Sequence, residues 1–294
     1  MTNLSQFYIN KAKKELGEDE NKKRQALAHF KKWLERHPFI KMHEIDDVNL
    51  LQYLRRKKYS LDKAFQSFED MKLFEKNHPE WFVISKKQLD NFAKSIHPLV
   101  RMLKHRDDDG RRVILIDQRP QFDISLNEFL KHFQAFFNAF LLEEETQIAG
   151  ITIVFDCTGV KFSYVKRHFS PIILCHFFSQ MKFFPIRIKQ INIVGLPTYG
   201  IVMFELIRNF FSKKLRSRLN VLKDISDLQN VMDTSDLLLD DLSDYNEKNF
   251  VPIEESIKKA VRFYDAYEID YSKVKCSKKL KTQKSIIIDE FAFD

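Results

Sequence analysis

The residues best suited to chemistry in this 294-residue chain are few and scattered. Asp156 follows the apolar run Ile151–Phe155, at the strand end where sites of α/β sheets form, but a carboxylate capping the Cys157-Thr158-Gly159 turn accounts for it equally. His168 and His176 lie eight positions apart in one expected helix, too far to chelate a metal from adjacent turns. The sequence has no G-x-S-x-G elbow and no H-E-x-x-H pair. With only six glycines it has no glycine cluster to cradle a phosphate either. Cys157, Cys175 and Cys276 are distant and odd in number, so neither a disulfide framework nor a C-x-x-C metal pattern follows. The expectation is a protein that is not an enzyme, with no catalytic residue and no metal.

Two basic runs point to binding instead. Arg55–Lys58 (RRKK) and Lys213–Arg218 (KKLRSR) each neighbour apolar helical segments. No zinc finger or RNA-binding signature accompanies them, so nucleic acid is not an expected partner. Cations beside an amphipathic helix attract anionic headgroups, at roughly 1 kcal/mol for each charge near the surface. A solvated face explains either run taken alone. The formal charge of +8 agrees with an anionic surface or with plain solubility. Residues 200–211, GIVMFELIRNFF, are apolar on nearly every side. Such a helix is either buried all round or moves between two apolar environments. In the second case it is a lid, with Pro197 and Gly200 letting the chain turn at its start. The 28 phenylalanines suit core filling, and equally the wall of an apolar cavity.

The elements that must position these residues fall into an N-terminal helical module (1–95), a layered α/β unit (96–248) and a C-terminal helix and tail (249–294). Apolar spacing predicts a helix over 20–36, a second capped by Asp46 or Asp47, and a third capped by Ser60. Asp107-Asp108-Asp109-Gly110 is a turn before a strand over 111–118. Strands over 151–156 and 191–196 alternate with helices over 125–145 and 163–183, the order of a layered α/β fold. The greasy helix is expected to continue into SKKLRSRL as one helix. Beyond it come a short strand over 221–224, a short helix over 226–231, an acidic loop, a helix over 253–267 and a lysine-rich tail. The first twenty residues have no apolar signal core and no apolar stretch reaches about 18 residues, so a reducing, cytoplasmic setting is expected.

Laid out this way, the chain resembles the CRAL-TRIO (Sec14-like) family of lipid carriers from about Asp46 to Val221, and most closely its tocopherol- and retinaldehyde-carrying branch. DDVNLLQYLRRKKYSLDKAFQSF resembles the aspartate-led helix, "leucine-arginine" turn and following helix. DDDGRRVILI resembles the strand after the D-x-x-G-R turn. ETQIAGITIVFDCTGVKFSYV resembles the central strand and its turn, and FPIRIKQINIVGLPTYGIVMFELIRNFFSKKLRSRL the last strand, lid and basic helix end. The resemblance implies a mixed α/β lipid-binding domain with a mobile lid helix and no cofactor beyond a bound hydrophobic lipid. It implies a cavity lined by Phe133, Phe137, Ile153, Phe155, Leu174, Phe178, Ile193, Val202, Leu206 and Phe210. It also implies a phosphoinositide cleft built from Lys57, Arg187, Lys214 and Arg218, with Arg216 nearby. The implied partners are a small hydrophobic lipid and an anionic membrane surface met transiently, by a monomer. Gly195 departs from the family's usual asparagine, Asn209 from its lid-end proline, and Leu237–Asp244 from its acidic-Tyr-Gly-Gly motif. A phosphoinositide-reading scaffold without transfer is the alternative reading. An enzyme acting on isoprenoid or phospholipid substrates is a third.

Overall fold

The computed structural model describes residues 4–42, 46–78, 81, 99–120, 125–168, 183–209, 211–239, 244–252 and 267–269. Four helices come first: α1 (Gln6–Leu16), α2 (Glu20–Glu35), α3 (Asp47–Arg56) and α4 (Leu61–Asn77). Asp19 and Asp46 cap α2 and α3, each side chain accepting from a backbone N–H in the first turn, at 2.8 and 2.9 Å. Helix α2 buries Ala26, Leu27, Phe30 and Leu34, one face at helical spacing. The Trp33 ring stacks on Phe65 of α4 at 4.8 Å, while Phe30 meets Phe65 and Phe68 edge-on.

The module is locked to the rest of the chain by a buried charge. The Arg55 side chain, with no exposed surface, donates to both oxygens of Glu18 at 2.9 and 2.7 Å, to Glu144 at 2.9 Å and to Gln147 at 2.8 Å. Burial alone would lower the Arg55 pKa, but the bonds and charge of Glu18, joined by Glu144, raise it above the ordinary arginine range. Glu144 and Gln147 belong to a short helix, α6 (Glu144–Ala149), so this fork ties α3 and the α1–α2 link to the α/β part. A two-stranded ribbon pairs β1 (Ile40–Met42) antiparallel with a strand near the C-terminus, Tyr267–Ile269.

The main sheet has five strands in spatial order β2 (Val100–Arg106), β3 (Arg112–Asp117), β4 (Ile151–Asp156), β5 (Ile188–Val194) and β6 (Leu219–Leu222). The Asp107–Gly110 turn joins β2 and β3 as an antiparallel hairpin, and β3 to β6 run parallel. Alternation sorts the side chains by face. Ile114, Ile116, Ile153 and Ile191 face the helices, while Val113, Leu115, Val154 and Val194 pack under Leu228, Leu237, Leu238, Tyr245 and Phe250. Helix α5 (Leu126–Phe140) opens on a reciprocal cap between Ser125 and Glu128 and brings Phe136, Phe137 and Phe140 into the core. Helices α7 (Phe162–His168), α8 (Thr198–Arg208) and α9 (Lys213–Arg216) follow, with 3-10 turns over Ile225–Asn230 and Glu247–Asn249.

Several expectations change. The helix predicted over 125–145 is two, α5 and α6, because Glu143 takes an extended conformation (φ −80°, ψ 116°) that starts a new helix. The lid and the basic run are not one helix. α8 stops at Arg208, Asn209 forms a turn, and the Ser212 hydroxyl accepts from Leu215 N at 3.2 Å to start α9. Strand β5 begins three residues earlier than predicted, with polar Lys189 and Gln190 inside it. α1 and β2 are additional elements. The expected helix over 163–183 is described only to His168. Of the C-terminal helix expected over 253–267 only Tyr267 is described, and it opens the strand Tyr267–Ile269; the rest of that helix and the tail lie outside the described residues. No helix among the described residues is long and apolar enough to cross a membrane.

Candidate functional site

Two neighbouring features carry binding character: the sheet face beneath α8, and a cluster of cations at the start of β5. Gly195 leaves β5 at φ +63°, where an added Cβ would stand 2.3 Å from the Thr158 hydroxyl. That close turn sends the chain through Pro197 into α8. On α8, Gly200 and Phe204 are buried and Met203 half-buried, with Phe204 packing near Ile191 and Met203 near Cys157, Val160 and Val165. The opposite face holds Ile201, Val202 and Leu206, 40%, 59% and 61% exposed, and Phe162 of α7, 55% exposed, packs edge-on against Tyr199 beside it. The helix is therefore apolar on its covered side, and its open side exposes three apolar side chains beside the Glu205–Arg208 ion pair.

Among the predicted lining, Ile153 and Phe137 are buried on the helix-facing side of the sheet, and Phe155 and Ile193 are half-buried there. Half-burial is informative, because Phe155 and Ile193 lie in central strands beneath α7 and α8 rather than at an edge. Val202 and Leu206 are a correction: they point away from the sheet. A helix apolar all round gives no moment to identify its inner face, and that face is the one carrying Gly200, Met203 and Phe204. The Phe133 side chain and residues Leu174, Phe178 and Phe210 lie outside the described residues.

The cation cluster is built by the backbone as much as by charge. Gly150, at φ +88°, lets β4 run against the Arg187 carbonyl; an added Cβ would stand 2.3 Å from that oxygen. Ile151 N donates to the same oxygen at 2.9 Å. The Arg187 guanidinium donates to the Ile148 carbonyl and to Glu15 Oε2, the latter at 2.9 Å. Lys189 Nζ donates to the same Glu15 oxygen at 2.6 Å, and Lys11 Nζ is 3.1 Å from Oε1. Burial pushes the Glu15 carboxyl up, but the bonds and charge of Lys189, with those of Lys11 and Arg187, hold it down to about 2. Arg218 donates to the Ile188 carbonyl at 2.6 Å. Its pKa is lowered first by burial, then by Arg187 and Arg111, a sign that these like charges share one neighbourhood.

The structure thus brings Arg187 and Arg218 together. Lys57 is half-buried at the C-cap of α3 and Lys214 is exposed on α9. Lys189 and Arg111 are cluster members that sequence reasoning missed. The period-two spacing of Arg187 and Lys189 is the signal that could have found the first; nothing local marks Arg111, whose guanidinium meets Asp109 and, at 3.2 Å, Gln190.

Asp156 has a full set of partners. It accepts from Thr158 N at 2.9 Å and from the Tyr245 hydroxyl at 2.7 Å, with Arg119 Nε 3.2 Å away. Arg119 also binds Asp117, at 2.9 and 2.8 Å, and lies over the Tyr245 ring. Burial, then Asp156, pushes the Tyr245 phenol well above its ordinary range, so the network clamps the loop after Leu237 and Leu238 onto the sheet end. This closure is made by Tyr245, the residue directly after the Leu237–Asp244 stretch. The Cys157 thiol is pushed up to about 12 by burial and by Asp156 and Asp117, and is therefore no thiolate nucleophile at neutral pH.

A family profile described as the CRAL/TRIO domain matches residues 99–239. The alpha-tocopherol transfer protein-like protein of Mus musculus is 27% identical over 220 residues, 73% of this chain and 63% of that protein. Its Homo sapiens counterpart is 29% identical over 179 residues, 59% of this chain and 51% of that protein. Clavesin-1 of Rattus norvegicus is 24% identical, covering 74% of this chain and 62% of that protein. The match thus spans between half and two-thirds of the length of these curated relatives. The crystal structure of Sfh5 superposes with a TM-score of 0.50 over 84% of this chain and 99% of that one, at 12% identity, a likeness of fold. An N-terminal helical region followed by this sheet, with the profile match over it, makes residues 99–239 a CRAL-TRIO (Sec14-like) domain.

Proposed function

We propose that the chain is a carrier that holds one small hydrophobic lipid between the helix-facing side of its sheet and α8. On this reading α8 opens at a membrane surface and the cations around Arg187 receive a phosphoinositide headgroup. The observation that carries the proposal is the two-sided apolar character of α8. Its inner face sits over the half-buried Phe155 and Ile193, and its outer face exposes Ile201, Val202 and Leu206. Exposed apolar area of that kind is unfavourable in water and stabilised in a bilayer. The similarity to alpha-tocopherol transfer protein-like relatives supports a tocopherol-like cargo. Burying about ten CH₂ groups at about 0.8 kcal/mol each supplies a large gross driving force, offset by ordering costs. The carrier works in the cytoplasm, as a monomer, with transient membrane contact.

The headgroup part is tested by vesicle flotation. Replacing Lys189 and Lys214 by Gln removes two cations, each worth roughly 1 kcal/mol near an anionic surface, so affinity for phosphoinositide vesicles should fall about 30-fold. Affinity unchanged within twofold would remove the headgroup role.

A further inference from the structure

α1 occupies the cleft that the headgroup is proposed to use. Its Glu15 carboxylate bridges Arg187 and Lys189 through one oxygen, at 2.9 and 2.6 Å, as a phosphate oxygen would. Glu15 is also the anion that offsets the mutual repulsion of Arg187, Arg111 and Arg218 in the field at Arg218. The helix packs along α6, burying Ala12 and Leu16 and resting Tyr8 and the preceding Leu4 on the core. Its other polar anchors are the Tyr8 hydroxyl on the Gly110 carbonyl at 3.0 Å, Arg106 over the Tyr8 ring, and Lys11 at 3.9 Å from Asp109. Gly17, left-handed at φ +63°, follows at once, and Glu18 beyond it is pinned by Arg55. Gly17 therefore lies, as a turn residue, between the pinned Glu18 and α1.

We propose that α1 is an internal competitor for the basic cleft: Glu15 holds the site while no polyanionic headgroup is present, and a phosphoinositide displaces it, freeing α1 about Gly17. The proposal rests on the headgroup reading above. One carboxylate brings a single negative charge to Arg187, Lys189 and Arg218. A bisphosphorylated inositol brings several charges and more acceptor oxygens, so exchange favours the ligand, reduced by whatever fraction of the time the cleft is closed.

Glu15→Gln keeps the side-chain shape but removes the charge. Affinity for vesicles containing phosphatidylinositol bisphosphate, and for soluble inositol 1,4,5-trisphosphate, should each rise about tenfold, the gain for a cleft that had been open one-tenth of the time. Glu20→Gln, the same charge change at an exposed position on α2, should leave both within twofold. In the unaltered chain, saturating inositol trisphosphate should speed amide exchange across residues 6–16. A gain confined to vesicles, an equal gain in Glu20→Gln, or unchanged exchange in α1 would each overturn the competitor. If Lys189→Gln with Lys214→Gln weakens headgroup binding while Glu15→Gln changes nothing, the competitor fails and the headgroup site stands. If neither variant changes binding, the headgroup reading itself fails.

Discussion

Replacing Arg55 by Leu should lower the unfolding free energy by about 3–5 kcal/mol, the usual consequence of removing one partner from a buried ion pair. The guanidinium makes four hydrogen bonds, to Glu18, Glu144 and Gln147, and none of its surface reaches solvent. Leucine fills part of the volume but takes the Arg55 charge away from the buried Glu18 and Glu144 carboxylates. Arg55→Lys should recover little, because an ammonium cannot span three partners with the planar fork of a guanidinium. Adding Glu18→Gln and Glu144→Gln to Arg55→Leu should recover part of the loss by removing the two buried negative charges. Urea unfolding, with the slope checked for two-state behaviour, measures all three. A loss below about 1 kcal/mol for Arg55→Leu would mean that the network is not what joins the helical module to the sheet.

The second large effect concerns the outer face of α8. Val202→Asp with Leu206→Asp should leave stability within about 0.5 kcal/mol, since both side chains are more than half exposed. Membrane association should fall at least about 100-fold. Each apolar side chain is worth about 1.5–3 kcal/mol when fully transferred from water, and a carboxylate in the same place adds a desolvation cost. Vesicle flotation reads the change, with neutral vesicles separating it from the cation term. If the double variant floats like the unaltered chain, α8 does not enter the membrane, whatever its inner face covers.

Much of the fold is legible in the sequence because the parallel strands announce themselves. Ile151–Asp156 reads as a nearly continuous apolar run, as a strand covered on both faces must. β2 does not: VRMLKHR is rich in basic side chains, and Arg101 finds its carboxylate partners, Asp117 and Glu247, only in three dimensions. α1 is hidden for a related reason, since a helix that buries only Ala12 and Leu16 has little apolar face to detect. The lid shows as a greasy stretch, but its facing does not, which is why Val202 and Leu206, placed inward by the resemblance, are found outward. In the basic cleft, Arg187 and Arg218 follow from the resemblance. Lys189 follows Arg187 at strand spacing, whereas Arg111 and Glu15 arrive by tertiary contact from the β2–β3 hairpin and the N-terminal helix, segments whose meeting no local spacing encodes.

On the proposed function, a hydrophobic guest sits between the sheet and α8. Native mass spectrometry of the purified chain, followed by organic extraction, tests it most directly. The account predicts a single adduct of a few hundred daltons per chain, released by solvent and identified as an apolar lipid, and regained when the stripped protein is incubated with vesicles containing it. A chain that carries no adduct as purified, and takes up none from tocopherol-, retinoid- or phospholipid-loaded vesicles, would contradict it.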